Sequence, residues 1–161
     1  MACPFFVPEK KLENGGWPHP ARLPLGGGWT GSCCAPGHQG ESLSDEELRD
    51  YCNLGYAEGC ARLPAERAWD AVRFAIISQR TRDSLADDRI SGTRIQLRCV
   101  CERNHGPAAH TILEFDLAES RWIQSHADPR VQRLAECYLA ECLNRSRNEN
   151  FGRAASGSAG L

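Results

Sequence analysis

The sequence predicts an α+β protein in two parts: an irregular, cysteine-pinned N-terminal segment with one short helix, then an antiparallel β-meander of three to four strands covered by a C-terminal α-helix. Three observations lead there. Six of the nine prolines and eight of the fifteen glycines fall in the first 40 residues, a density that excludes long helices and central strands in that stretch. From Val72 onward, apolar residues alternate with polar ones in short runs, the period of half-buried strands. Asp128-Pro129 then opens a run whose apolar residues recur every three or four positions, the period of a helix lying on a sheet.

Taken in order, the first 40 residues hold Phe5, Phe6, Trp17, Leu23, Leu25 and Trp29, more apolar bulk than a flexible tail needs. Pinning of this stretch by Cys3 and the Cys33-Cys34 pair accounts for them. Ser44-Asp45-Glu46-Glu47 has the Ser-x-x-Glu form of a capping box, and Leu48, Tyr51 and Cys52 follow at helical spacing, which places a short helix over about residues 44–53. Gly55 supplies its exit, and Ala65 to Asp70 reads as another short helical piece. Val72, Phe74 and Ile76 form the first strand of the meander, and the polar stretch Thr81 to Ser91 a connection. Ile95, Leu97, Cys99 and Cys101 share one face of the next strand. Asn104-His105-Gly106-Pro107 is a turn by its chemistry, followed by strands at Thr111 to Asp116 and Arg121 to Ile123. The C-terminal helix presents Val131, Leu134, Ala135, Tyr138 and Cys142 as one apolar stripe. The chain therefore divides into a Cys/Pro/Gly-rich segment over 1–64, a sheet plus helix over 65–145, and a disordered tail over 146–161.

Composition narrows the function classes. Val, Ile, Leu and Phe make up less than a fifth of the 161 residues, a lean supply for one core, while nine cysteines offer a means of cross-linking it. The formal net charge is −2 and neither half carries a basic excess, so a nucleic-acid partner is not expected. No run approaches the ~18 apolar residues of a membrane span, and no basic segment followed by a long apolar run marks a signal peptide. The expected location is the cytoplasm, where thiols stay reduced and cysteines serve as core residues, redox groups or thiolate ligands.

Four of the cysteines form the main candidate site: Cys3, Cys33, Cys52 and Cys60, with Cys34 as the alternative to Cys33 because adjacent residues rarely serve one site together. Four thiolates suit a [4Fe-4S] or [2Fe-2S] cluster and also a structural Zn²⁺. The nearest pair, Cys52 and Cys60, is separated by seven residues, wider than the close pairs of structural zinc sites and better matched to a cubane gripped from several sides. Cys3-Pro4-Phe5-Phe6, Arg22-Leu23-Pro24-Leu25-Gly26 leading to Gly31-Ser32-Cys33, and Cys52-Asn53-Leu54-Gly55-Tyr56-Ala57 leading to Cys60 are similar to small bacterial proteins with four dispersed cysteines. The Cys-x-x-Gly-Tyr-x-x-x-Cys ending resembles that of four-cysteine iron-sulfur modules. The resemblance spans roughly the first 60 residues; it implies a metallocluster, with Asn53, Gly55 and Tyr56 around it, and supplies no activity.

The remaining cysteines read as structural. Cys99, Cys101, His105 and His110 form a C-x-C-x3-H-x4-H array with a zinc-like look, but core packing for the thiols and turn or surface roles for the histidines suffice. Cys137 and Cys142 pack on the helix, with Cys142 in the stripe and Cys137 beside it. His38 is a candidate substitute ligand, His19 carries no signal, and His126 merely precedes the helix cap. Hydrolase elbows, phosphate loops and His-Glu-x-x-His pairs are missing from the sequence, and no catalytic residue is assigned. The reading that follows is a metal-binding protein, an iron-sulfur cluster in a redox, electron-transfer or sensing role, working with a protein redox partner or within a complex. Two others stand beside it: a zinc-stapled or metal-free interaction subunit with exposed Trp17 and Trp29, and thiol-disulfide chemistry at Cys33-Cys34.

Overall fold

A computed structural model describes residues 1–12, 22–54, 56–57, 59–80 and 94–156, with backbone alone at 78–80 and 149–156. It is an α+β structure of two antiparallel sheets and two helices, the second helix following the last strand. Trp17, His19, Gly55, the connection expected over 81–91 and the last five residues lie outside the described residues.

The N-terminal segment is more regular than its proline content suggests. Strands β1 (Phe6–Lys11), β2 (Trp29–Cys33) and β3 (Glu41–Ser42) form a three-stranded sheet in that order. Pro8 is tolerated because β1 is an edge strand and its register shifts between Pro8 and Lys10, so the missing N–H falls at a bulge. Opposite it stands Gly31, where a Cβ would lie 2.1 Å from the Val7 carbonyl oxygen; only glycine permits this approach of the two strands.

The expected capping box is present. The Glu47 N–H donates to Ser44 Oγ at 3.2 Å, and the Ser44 N–H donates to the Glu47 carboxylate at 2.8 Å. It opens α1 (Asp45–Glu47), which widens into a π turn over Leu48–Cys52, where the Asn53 N–H reaches back to the Leu48 carbonyl at 3.1 Å. That turn buries Leu48 and Cys52. Residues 61–70 run as turns and bends rather than the short helix expected over 65–70. Side chains take over there: Arg67 donates to the Pro64 carbonyl at 2.9 Å and to Asp70 at 2.6 Å.

The meander has four strands, β4 (Ala71–Arg80), β5 (Arg94–Arg103), β6 (Gly106–Asp116) and β7 (Arg121–Gln124), paired in sequence order. Asn104 and His105, both with positive φ (50° and 61°), make the two-residue hairpin whose twist matches the strands. Helix α2 (Pro129–Ser156) starts where Asp128 accepts from the Arg130 N–H at 2.9 Å, and it continues past residue 145 into the stretch expected to be a tail. It packs against both β1 and β4, so its buried arc is wider than one stripe. Cys137 and Leu139 join the core with Val131, Leu134 and Ala135, while Cys142 is only half-buried beside Arg145. Glu141 is buried too, held by Lys11 of β1 at 2.7 Å.

One core runs through both expected segments, from Ala2, Phe6 and Leu25 to Val72, Leu97, Leu113 and Leu134. Ala2 joins them directly, exchanging backbone hydrogen bonds of 2.6 and 2.9 Å with Val72 of β4. Cys3 is thereby fixed at the seam of the two sheets.

Candidate metal centres

Cys3, Cys33, Cys52 and Cys60 line one recess, although they are spread over the first 60 residues. Each arrives on a different support. Cys3 sits between the Ala2–Val72 bridge and β1, Cys33 ends β2, Cys52 ends the π turn, and Cys60 follows in a turn whose N–H bonds the Ala57 carbonyl at 2.8 Å. Phe5, Phe6, Ala35, Leu43 and Leu63 supply apolar wall, and Glu47, Tyr51 and Arg62 also line the recess, with Arg62 ion-paired to Glu47 at 3.0 Å.

The electrostatics couple the four. Burial pushes the Cys3 thiol up to about 12; the backbone N–H groups of Phe5 and Phe6 pull it back, and Cys33 and Cys60 add to the rise. Cys52 is pushed up by burial first and then by Cys3, Cys60, Cys33 and Glu47. As thiolates these groups would repel one another in a partly apolar recess, a balance that a cation at their centre reverses. The Ala35 N–H donates to Cys33 Sγ at 3.4 Å, as amides do around thiolate ligands. Cys34 takes the other direction: its thiol donates to the Phe5 carbonyl at 3.2 Å, and it interacts with Arg130.

Neighbouring candidates have other tasks. Asn53 is 2 % exposed and accepts from the Trp29 N–H at 2.9 Å while donating to the Trp29 and Leu48 carbonyls at 3.0 and 2.9 Å, stitching the Cys52 turn to β2. Tyr56 turns to the large sheet, donating to Glu102 at 2.6 Å and stacking on His105 at 4.4 Å. His38 pairs with Glu41 at 3.0 Å. Trp29, expected to be exposed, is 8 % exposed and belongs to the core.

A second group of ligands lies on the large sheet. Among the described residues, the set of three whose ligand atoms all come within 4.8 Å of one another is Cys99, Cys101 and His126, a group able to hold a metal ion. Among the described residues, no three of the recess cysteines form such a group. His105 and His110 take no part. His105 is in the hairpin, and His110 pairs with Val100, so its side chain leaves the face that carries Cys99 and Cys101. His126 comes from the connection between β7 and α2, 25 residues beyond Cys101, where no ligand spacing points to it. The available signal was its place just before Asp128, the cap of a helix that must cover the cysteine face. The two thiols act on one another: the Cys99 S–H donates to Cys101, so Cys101 is shifted down and Cys99 up.

Comparison with protein-family models, with curated proteins and with solved structures finds no match to this chain. Among the described residues, no helix is long and apolar enough to cross a membrane.

Proposed function

We propose that the protein binds an iron-sulfur cluster, [4Fe-4S] in type, through Cys3, Cys33, Cys52 and Cys60, and serves as a one-electron carrier or redox sensor. The observation that carries this reading is the meeting of four sequence-distant cysteines in one recess. The amides at Cys3 and Cys33 supply the N–H···S contacts that tune such centres. Cys33 is the second ligand rather than Cys34, whose thiol is directed to the Phe5 carbonyl. Its working partner is a redox protein or complex, and nine free thiols suit a reducing cytoplasm.

The test is a visible absorption spectrum with iron, sulfide and zinc analysis on the anaerobically purified chain, beside Cys52→Ser and Cys34→Ser. Brown protein with stoichiometric iron and sulfide, bleached by dithionite, lost in Cys52→Ser and kept in Cys34→Ser, is expected. Colourless protein, with one zinc in the recess or with no metal, overturns the reading.

A further inference from the structure

We infer that Cys99, Cys101 and His126 form a second, independent site for a single thiophilic divalent cation of the zinc class, with a fourth position left for water or an exogenous ligand. Two of the ligands are on one strand. Cys99 and Cys101 are i and i+2 on β5, so the pleat sends both sulfurs to the same face, and both are buried. The third ligand arrives from the loop entering α2, and its nitrogen falls within 4.8 Å of both sulfurs. Two thiolates and an imidazole are a donor set that zinc takes with one position open.

The surroundings of His126 fit the role. Its ring is held on both sides, by Trp69 edge-on at 5.9 Å and by the peptide of Asp128. The Asp128 N–H donates to Nδ1 at 3.0 Å, and the Asp128 carbonyl lies 3.4 Å from the same nitrogen. A metal on Nε2 requires the proton on Nδ1, which then turns to that carbonyl and gives up the contact from the Asp128 N–H, so filling the site exchanges one outer partner for the other. The Asp128 carboxylate is occupied by Arg130, with contacts of 2.6 to 3.2 Å, and so does not complete the shell. Filled, the site would tie the start of α2 to the middle of the sheet. The two thiols shed protons as the ion enters, so uptake weakens as pH falls.

Cobalt(II) is the probe, titrated anaerobically into the full chain with iron measured in parallel. One equivalent is expected to give thiolate-to-cobalt charge-transfer and tetrahedral ligand-field bands. The bands should vanish in Cys101→Ser, weaken at least tenfold in affinity in His126→Gln, and persist in Cys52→Ser. Bands that survive in Cys101→Ser, or vanish in Cys52→Ser with folding intact by circular dichroism, overturn the assignment, as does no uptake by the wild-type chain. Since Cys101→Ser alters the core, ¹¹³Cd resonance on the unsubstituted chain gives a second readout: a two-sulfur shift supports the site and the absence of one overturns it. Iron content is a separate quantity, so loss of the cluster reading and loss of this one are told apart.

Discussion

Replacing Asn53 by alanine tests whether the turn that delivers Cys52 is held as described. The side chain makes three buried hydrogen bonds of 2.9, 3.0 and 2.9 Å, two to the Trp29 peptide on β2 and one to the Leu48 carbonyl. The Leu48 carbonyl keeps a partner in the Asn53 N–H at 3.1 Å, but the Trp29 groups lose theirs inside the core. At ~1 kcal/mol per hydrogen bond, the expected loss is about 3 kcal/mol, and more if the Trp29 groups stay unpaired. For a chain of this size that corresponds to a fall in Tm of about 6–12 °C by calorimetry. Asn53→Asp is the companion variant: it keeps the acceptor for the Trp29 N–H and turns a negative oxygen on two carbonyls, so it should be no more stable than alanine. Iron bound per chain should fall in both, because Cys52 follows the same turn. A Tm drop below about 2 °C in Asn53→Ala would refute the reasoning.

Two further changes probe the frame. Gly31→Ala places a methyl 2.1 Å from the Val7 carbonyl oxygen and should lower stability by about 3 kcal/mol or more, opening β1 from β2 and separating Cys3 from Cys33; Gly27→Ala, whose nearest neighbour is 3.5 Å away, should cost far less, and paired denaturant titrations would show equal losses if the strand approach were not limiting. Asp70 accepts from the Asn104 N–H and from Arg67, both at 2.6 Å, and the amide of the hairpin turn, then Arg67, hold its carboxyl below the usual carboxylate range. Its contribution is complete above the unfolded value near pH 4 and is lost as pH falls through the lower folded value, so Asp70→Asn should lower Tm at pH 7 and converge on the wild type once the pH lies below that folded value; an offset that persists unchanged in acid would contradict that linkage.

How much was legible depended on how local each signal is. The Ser44–Glu47 box, the Asp128-Pro129 helix start and the Asn104-His105 hairpin are decided by residues within four positions of one another, and each stands where the sequence puts it. The alternation of Ile95, Leu97, Cys99 and Cys101 likewise needs nothing beyond its own strand. The N-terminal sheet was not legible, because Pro8 argues against a strand until Gly31 and the bulge beside it are known, and that is a pairing across more than twenty residues. His126 was missed for the same reason: spacing led to His105 and His110, and only the path of α2 over the sheet brings the ring to the sulfurs. The end of α2 was misplaced because Arg, Asn and Glu in the last turns carry no apolar period, while the helix continues regardless.

Six cysteines belong to the core, namely Cys3, Cys33, Cys52, Cys99, Cys101 and Cys137, and burial alone does not separate ligands from small hydrophobic residues. Convergence does. Cys137 is pushed up to about 11 chiefly by burial, influenced by Arg133, Glu136 and Glu141 but by no other thiol, as an ordinary packed cysteine is. Cys3 and Cys52 are each raised by their partners in the recess, and Cys99 and Cys101 act on one another. The recess gathers thiols from separate parts of the chain, and the second group joins two thiols of β5 to the ring that precedes α2, so a centre at either would tie separate elements of the fold together.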